Sequence, residues 1–207
     1  MAAHAHAAGG HEAVEHEHHG PPPANQSSRV NPAVLGMLLF IISEIMIFGA
    51  FFTAYFFIRV VNGDPWPGPG FELPKNIAAF NTCILVSSSF TIHFAQEALK
   101  KDNRLGLKVG MVCTFLLGLT FLFIQINEYW HLGIAAHETA QASIFNGLTG
   151  LHGAHVTIGL MLLAFVTIRS FRGHYSSGGY LGMEVPGIYW HFVDVMWIVV
   201  FFSVYII

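Results

Sequence analysis

Apolar positions gather in five long runs, and polar positions collect between them. The runs cover about 34–61, 76–99, 107–130, 143–171 and 187–207. Each supplies the roughly 20 residues that a helix needs to cross a ~30 Å hydrocarbon core. Several are longer than that and would tilt or protrude. None alternates apolar with polar residues, which disfavours a closed β-barrel. The pattern predicts an all-α polytopic membrane protein. Its bundle of five transmembrane helices fills residues 33–207 and follows a separate tail, residues 1–32.

The tail has another character. It holds His4, His6, His11, His16, His18 and His19, with Glu12, Glu15, Glu17 and Pro21-Pro22-Pro23. No apolar segment of signal-peptide length is present, so it reads as disordered and cytoplasmic rather than as a secretory signal. A His-rich tract can bind a metal ion, but a structural site needs a geometry that a flexible tail does not fix. Four connections separate the runs. Asp64-Pro65-Trp66-Pro67-Gly68-Pro69-Gly70 cannot continue a helix, 100–106 is basic, 131–142 has no Lys or Arg, and 172–186 contains Ser176-Ser177-Gly178-Gly179. No fixed-period repeat is visible, which argues against a solenoid or an inverted-repeat transporter.

Composition sharpens this reading. Hydrophobic residues make up 54% of the 207 and charged residues 10%, against roughly 25% charged in a soluble domain. An ordinary soluble fold is excluded, as is disorder of the whole chain. The formal charge of -3 gives no basic field for nucleic acid. Cys83 and Cys113 lie in separate apolar runs and form no metal or redox spacing. Arg29, Lys100, Lys101, Arg104, Lys108, Arg169 and Arg172 fall on one side of the predicted bundle, Arg59 and Lys75 on the other. The positive-inside rule then puts the N-terminus in the cytoplasm and the C-terminus outside.

Ionisable residues inside spanning helices are costly and normally turn inward to pair. Glu44 sits near mid-depth on the first helix. Gln125 and Glu128 share a face of the third, His152 and His155 of the fourth, His191 and Asp194 of the fifth. Glu44 lies about 16 Å from one end of its helix and the histidines at a similar depth, so a Glu44–His contact is expected. His191 and Asp194, expected nearer the cytoplasm, would satisfy each other or nearby backbone. The ligand types would also suit a metal, but a dinuclear site wants Glu-x-x-His repeated at one depth. Interhelical hydrogen bonding is the preferred reading. Intramembrane metal binding and a proton relay through Glu44 are the alternatives. Gly147, Gly150, Gly153 and Gly159 should let another helix come close. Trp66, Trp130 and Trp190 read as interface anchors, and Trp190 and Trp197 are also counted with the glycines as packing positions.

The motifs go further than the physics. Trp190-His191-Phe192-Val193-Asp194-Val195-Met196-Trp197 followed by Val204-Tyr205 closely resembles the last helix of subunit III of haem-copper terminal oxidases. Gly150-Leu151-His152-Gly153-Ala154-His155-Val156 with Gly159, Gln125-Ile126-Asn127-Glu128-Tyr129, and Phe40-Ile41-Ile42-Ser43-Glu44 resemble that family's other helices in the same order. The resemblance implies a subunit of a dioxygen-reducing, proton-pumping complex in a bacterial inner membrane, with no active site, cofactor or metal in this chain. It implies haem and copper in subunit I, the main partner, with subunit II and small subunits nearby. It also implies bound phospholipid, support of proton uptake and protection from inactivation. The longest family members have seven helices. This chain matches the last five, so one wall of the family's lipid cleft would come from elsewhere. Ser43-Glu44 and Gln125-x-x-Glu128 resemble the cytochrome c branch more than the quinol oxidases, which remain the alternative. An independent small transporter is a more remote one.

Overall fold

A computed structural model describes residues 31–62, 74–132, 139–173 and 181–206. The helices are α1 (Pro32–Asn62), α2 (Lys75–Lys100), α3 (Arg104–Leu132), α4 (Ala140–Phe171) and α5 (Leu181–Phe201), the last running into a π-helical segment, Phe202–Ile206. All five are long and apolar enough to cross a membrane. The expectations for the His-rich tail and for Trp66 fall outside the described residues.

Helix ends follow local chemistry. The α2–α3 turn is three residues long. Lys101 N–H bonds the Glu97 carbonyl and Asn103 N–H the Ala98 carbonyl, with Asp102 between them at φ 53°. This is a left-handed helix stop, usually glycine. Asn103 then caps α3, its Oδ1 accepting from Gly106 N–H at 3.0 Å. Thr139 caps α4 in the same way through Ala142 N–H, also at 3.0 Å. Gly173, at φ 74°, ends it.

The most extensive interface joins α2 to α3; α4 packs on α3 and α5, α5 on α2, and α1 rests on α4 and α5. Small residues explain the α2–α3 approach. A Cβ at Gly110 would lie 2.7 Å from the Ala95 Cβ, and one at Gly106 would lie 3.0 Å from the Ala98 Cβ. Gly106, Gly110, Thr114 and Gly118 recur every four residues, so they form one stripe along α3. Thr91 and Thr114 hydrogen-bond across it at 2.8 Å. Bilayers supply no hydrophobic drive between helices, so close packing and such bonds must hold the bundle.

Three expectations need correction. The fifth helix begins at Leu181, not near Gly187, and carries Pro186 within its first turns. A proline early in a helix forfeits few backbone bonds. Trp190 therefore lies well inside α5. It is fully buried, not an interface anchor, whereas Trp130 is 82% exposed. The fourth-helix glycines also divide. Gly159 faces the Trp190 indole and Gly147 faces Phe51, but a Cβ at Gly150 or Gly153 would meet nothing within 4 Å. Those two receive no neighbouring helix among the described residues.

Candidate functional site

One polar contact joins α1 to α4. His155 Nε2 lies 2.8 Å from Glu44 Oε2, and the two side chains are only 8% and 13% exposed. His155 Nδ1 lies 2.8 Å from the Leu151 carbonyl. A carbonyl only accepts, so Nδ1 carries a proton and donates it. Nε2 then either donates to a carboxylate or accepts from a carboxyl. One proton sits between Glu44 and His155 in both forms. Phe48, with its ring 5.0 Å from the imidazole, and Phe192 wall the pair. Tyr189 donates to the His155 carbonyl at 3.3 Å.

His152 goes elsewhere. Positions three apart differ by about 60° around a helix, and here that divides the two rings. His152 stacks on Trp197 with centroids 4.7 Å apart and meets the edge of Phe121 at 5.9 Å. Neither ring nitrogen of this buried imidazole has a hydrogen-bond partner among the described residues. Trp197 Nε1 donates to Thr82 Oγ1 on α2 at 2.9 Å.

The third helix distributes its polar pair as well. Glu128 Oε1 accepts from the Tyr205 hydroxyl at 3.1 Å, tying α3 to the π-helical end. Gln125 is buried beside it, close to the Tyr129 and Tyr205 hydroxyls. One position beyond Glu128, the Tyr129 hydroxyl donates to Thr149 Oγ1 on α4.

On the fifth helix, Asp194 is bonded not by its neighbour His191 but by α2. Ser89 Oγ donates to Asp194 Oδ2 at 2.7 Å. The adjacent Ser88 accepts from Trp190 Nε1 at 2.9 Å. Because α5 starts early, Asp194 stands thirteen residues into it, about 20 Å along its axis. It lies at mid-depth rather than near one face. Sequence reasoning missed Ser88, Ser89 and Thr82, since a serine or threonine in an apolar helix usually bonds its own backbone. It also missed Tyr55, whose hydroxyl donates to the Ser203 carbonyl at 3.0 Å and accepts from Arg59 at 2.9 Å.

The donor set does not fit a haem or copper centre. No group of three His, Cys, Asp or Glu among the described residues could hold a metal ion. His155 is engaged at both nitrogens, and His152 is boxed by aromatic rings. What the arrangement can do is lock helices in register and hold one proton between Glu44 and His155.

Known proteins give the same outline. A family model described as Cytochrome c oxidase subunit III matches residues 24–207. The chain is 40% identical over 196 residues to the cytochrome c oxidase subunit 3 of Thermostichus vulcanus, covering 94% of this chain and 92% of that protein. Against the same-named protein of Synechocystis sp. it is 41% identical over 194 residues, covering 93% and 79%. Against that of Oryctolagus cuniculus it is 35% identical over 176 residues, covering 82% and 67%.

Proposed function

The chain belongs to the cytochrome c oxidase subunit III family, and from that premise we propose that it is the non-catalytic third subunit of a proton-pumping haem-copper oxidase. In this reading it packs against subunit I, which carries the haems and copper, with subunit II and small subunits nearby. It holds phospholipid, supports proton uptake and keeps the complex from inactivating. It sits in a bacterial inner membrane with its N-terminus in the cytoplasm. Cytochrome c is the electron donor of the whole complex, which the names of the relatives favour over quinol.

The observation that carries this proposal is the family match across residues 24–207. The polar interior agrees with it. Glu44, Gln125, Glu128, His152, His155, His191 and Asp194 work as structural groups in this reading; Glu44, His155, Glu128 and Asp194 hydrogen-bond between helices and His152 packs on rings of α3 and α5, with no shared reaction centre.

The test is a mild-detergent purification through this chain, followed by a reduced-minus-oxidised visible spectrum and peptide identification. Haem bands travelling with a large cofactor-bearing partner are expected, together with oxidation of added reduced cytochrome c. A colourless, solitary protein would overturn the reading and restore the independent transporter. Haem bands with activity toward quinol alone would move the complex to the other branch.

A further inference from the structure

Outward positions of this bundle mostly suit lipid. Leu39 and Met46 on α1, Phe123 on α3 and Phe165 on α4 are exposed and apolar. Exposed hydroxyls on those helices return to their own backbone, as Ser43 does to the Phe40 carbonyl and Thr120 to that of Leu116. The facing edges of α2 and α5 depart from this rule. Ser89, His93, Gln96 and Lys100 recur every three or four residues on α2, and Glu184, Gly187, His191 and Asp194 do so on α5. Each set therefore lies along one face of its helix.

The two rows run antiparallel and meet rung by rung. Ser89 Oγ donates to Asp194 Oδ2 at 2.7 Å. His93 and His191 are close enough to interact electrostatically, as are His191 and Asp194. Gln96 lies directly over Gly187, where only a residue without a side chain leaves room for it. At the last rung Lys100 and Glu184 line a small pocket with Gln96, Leu99 and Met183. From Lys100 to Ser89 is eleven residues, about 16 Å along the helix. The pocket end is open and the far end closed. Lys100 and His93 are exposed, Gln96, Glu184 and His191 are half-buried, and Asp194 is only 6% exposed. Asp194 Oδ1 has no hydrogen-bond partner among the described residues. Past Asp194 the row stops. Leu85 is buried there, and Trp197 gives its indole N–H to Thr82. An indole donates but does not accept, so it passes no proton on.

We propose that this row is a proton-collecting path that opens at the Lys100–Glu184 pocket and ends on the Asp194 carboxyl at mid-depth. Asp, Glu and His in series within spanning helices are the groups of proton relays. Imidazole suits a relay because one ring nitrogen takes a proton while the other gives one. Each step hands one proton inward, and the donor is restored by a proton from water at the pocket. Asp194 holds the proton without losing its place. Oδ1 takes it, and Oδ2 keeps the bond from Ser89 in either state. The charged and titratable groups around the path are His93, Glu97 and Lys100 from α2 and Glu184 and His191 from α5. Glu97 pairs with Lys100 at 2.9 Å, which leaves Glu184 as the carboxylate of the mouth. In the orientation proposed above, that mouth is cytoplasmic. The proposal rests on the oxidase-subunit reading and gives its support of proton uptake a location in this chain.

The experiment uses the intact oxidase in lipid vesicles and reads carboxyl groups by infrared absorption, with all variants compared at equal chain per haem. Asp194→Asn should remove one carboxyl C=O band. In the parent that band grows as pH falls and shifts when heavy water replaces water. The time taken by the shift should lengthen several-fold in His93→Leu and in His191→Leu, and should not change in Phe165→Leu on the lipid-facing side of α4. A purely structural role of the histidines would leave that time unaltered. If Asp194→Asn removes no such band, Asp194 is not the terminal group and the proposal falls. If the band is present and the shift is as fast in both histidine variants as in the parent, the path is wrong. His93 is exposed, so His93→Leu carries the test even where His191→Leu does not assemble. Haem co-purification with the unaltered chain separates the two readings. If it fails, the oxidase assignment fails. If it holds and the infrared result is negative, the proton path alone is wrong.

Discussion

Gly159→Ala should destabilise this chain sharply, because the Trp190 indole has no space to yield. A Cβ at position 159 would lie 2.8 Å from Trp190 Cε3 and 2.9 Å from Cζ3. On the opposite edge of the ring, Gly118 leaves the same narrow margin, 2.6 Å to Cη2. Carbon atoms prefer about 3.5–4.0 Å, so the ring would have to move by roughly 0.7 Å toward a helix already in contact. That movement also strains the 2.9 Å bond from Trp190 Nε1 to Ser88. Overpacking of this kind costs about 1–3 kcal/mol, and losing the buried donor's partner adds about 1–3 kcal/mol more. With roughly 2–4 °C per kcal/mol for a chain of this size, a loss of 2 kcal/mol lowers the melting temperature by about 4–8 °C. The assay is thermal release of this chain from the purified oxidase, followed by gel. Gly150→Ala and Gly153→Ala are the internal controls, since a Cβ there meets nothing within 4 Å, and neither should lower the midpoint. Combining Gly159→Ala with Trp190→Phe should cost at least about 1 kcal/mol less than the sum of the two, as expected for residues in contact. Equal shifts for Gly159→Ala and Gly150→Ala, or an additive cycle, would refute the sandwich.

Other contacts make further predictions. Glu44→Ala strands His155 Nε2 in an apolar wall and should cost about 1–3 kcal/mol; Glu44→Gln keeps a hydrogen-bonding group there and should cost less than half as much in the same thermal assay. Trp197→Phe and Thr82→Val each break one α2–α5 bond worth roughly 1 kcal/mol, and the double variant should be no worse than the poorer single one. Asp102 sits at φ 53°, so Asp102→Val should lose about 1–2 kcal/mol through the left-handed backbone, whereas Asp102→Gly should match or exceed the parent in melting temperature.

Much of this was legible before any coordinates. Helix count follows from hydrophobic run length, because a bilayer imposes one length on every span. A contact of Glu44 with His152 or His155 follows from depth, since ionisable groups at one level of neighbouring helices have few other partners; that His155 is the one depends on which way each ring turns. The α5 start and the Trp190 role depart from expectation for one reason. Taking Pro186 as a boundary shortened α5 by six residues and set Trp190 at its end, where a tryptophan reads as an anchor. With the helix started at Leu181, the same residue becomes buried filling between Gly118 and Gly159. The small residues of α3 recur every four positions and meet α2, α4 and α5, whereas Gly150 and Gly153, three apart on one face of α4, meet nothing within 4 Å. Spacing shows which face is small, and only the partner helix decides whether that smallness is used.

The polar side chains explain why this arrangement and not another. Apolar side chains are as comfortable in lipid as against each other, so they cannot fix which helix lies beside which. Bonds between side chains can. Glu44 with His155 sets α1 on α4, and Tyr55 with the Ser203 carbonyl sets it on the end of α5. Ser88 with Trp190, Ser89 with Asp194 and Thr82 with Trp197 align α2 on α5 at three levels. Glu128 with Tyr205 and Tyr129 with Thr149 fasten the far end of α3. Sliding α5 by one turn, about 5.4 Å, would break all three α2–α5 bonds together and press Trp190 onto a residue larger than glycine. The register is therefore held by a few bonds spread over the depth of the bundle.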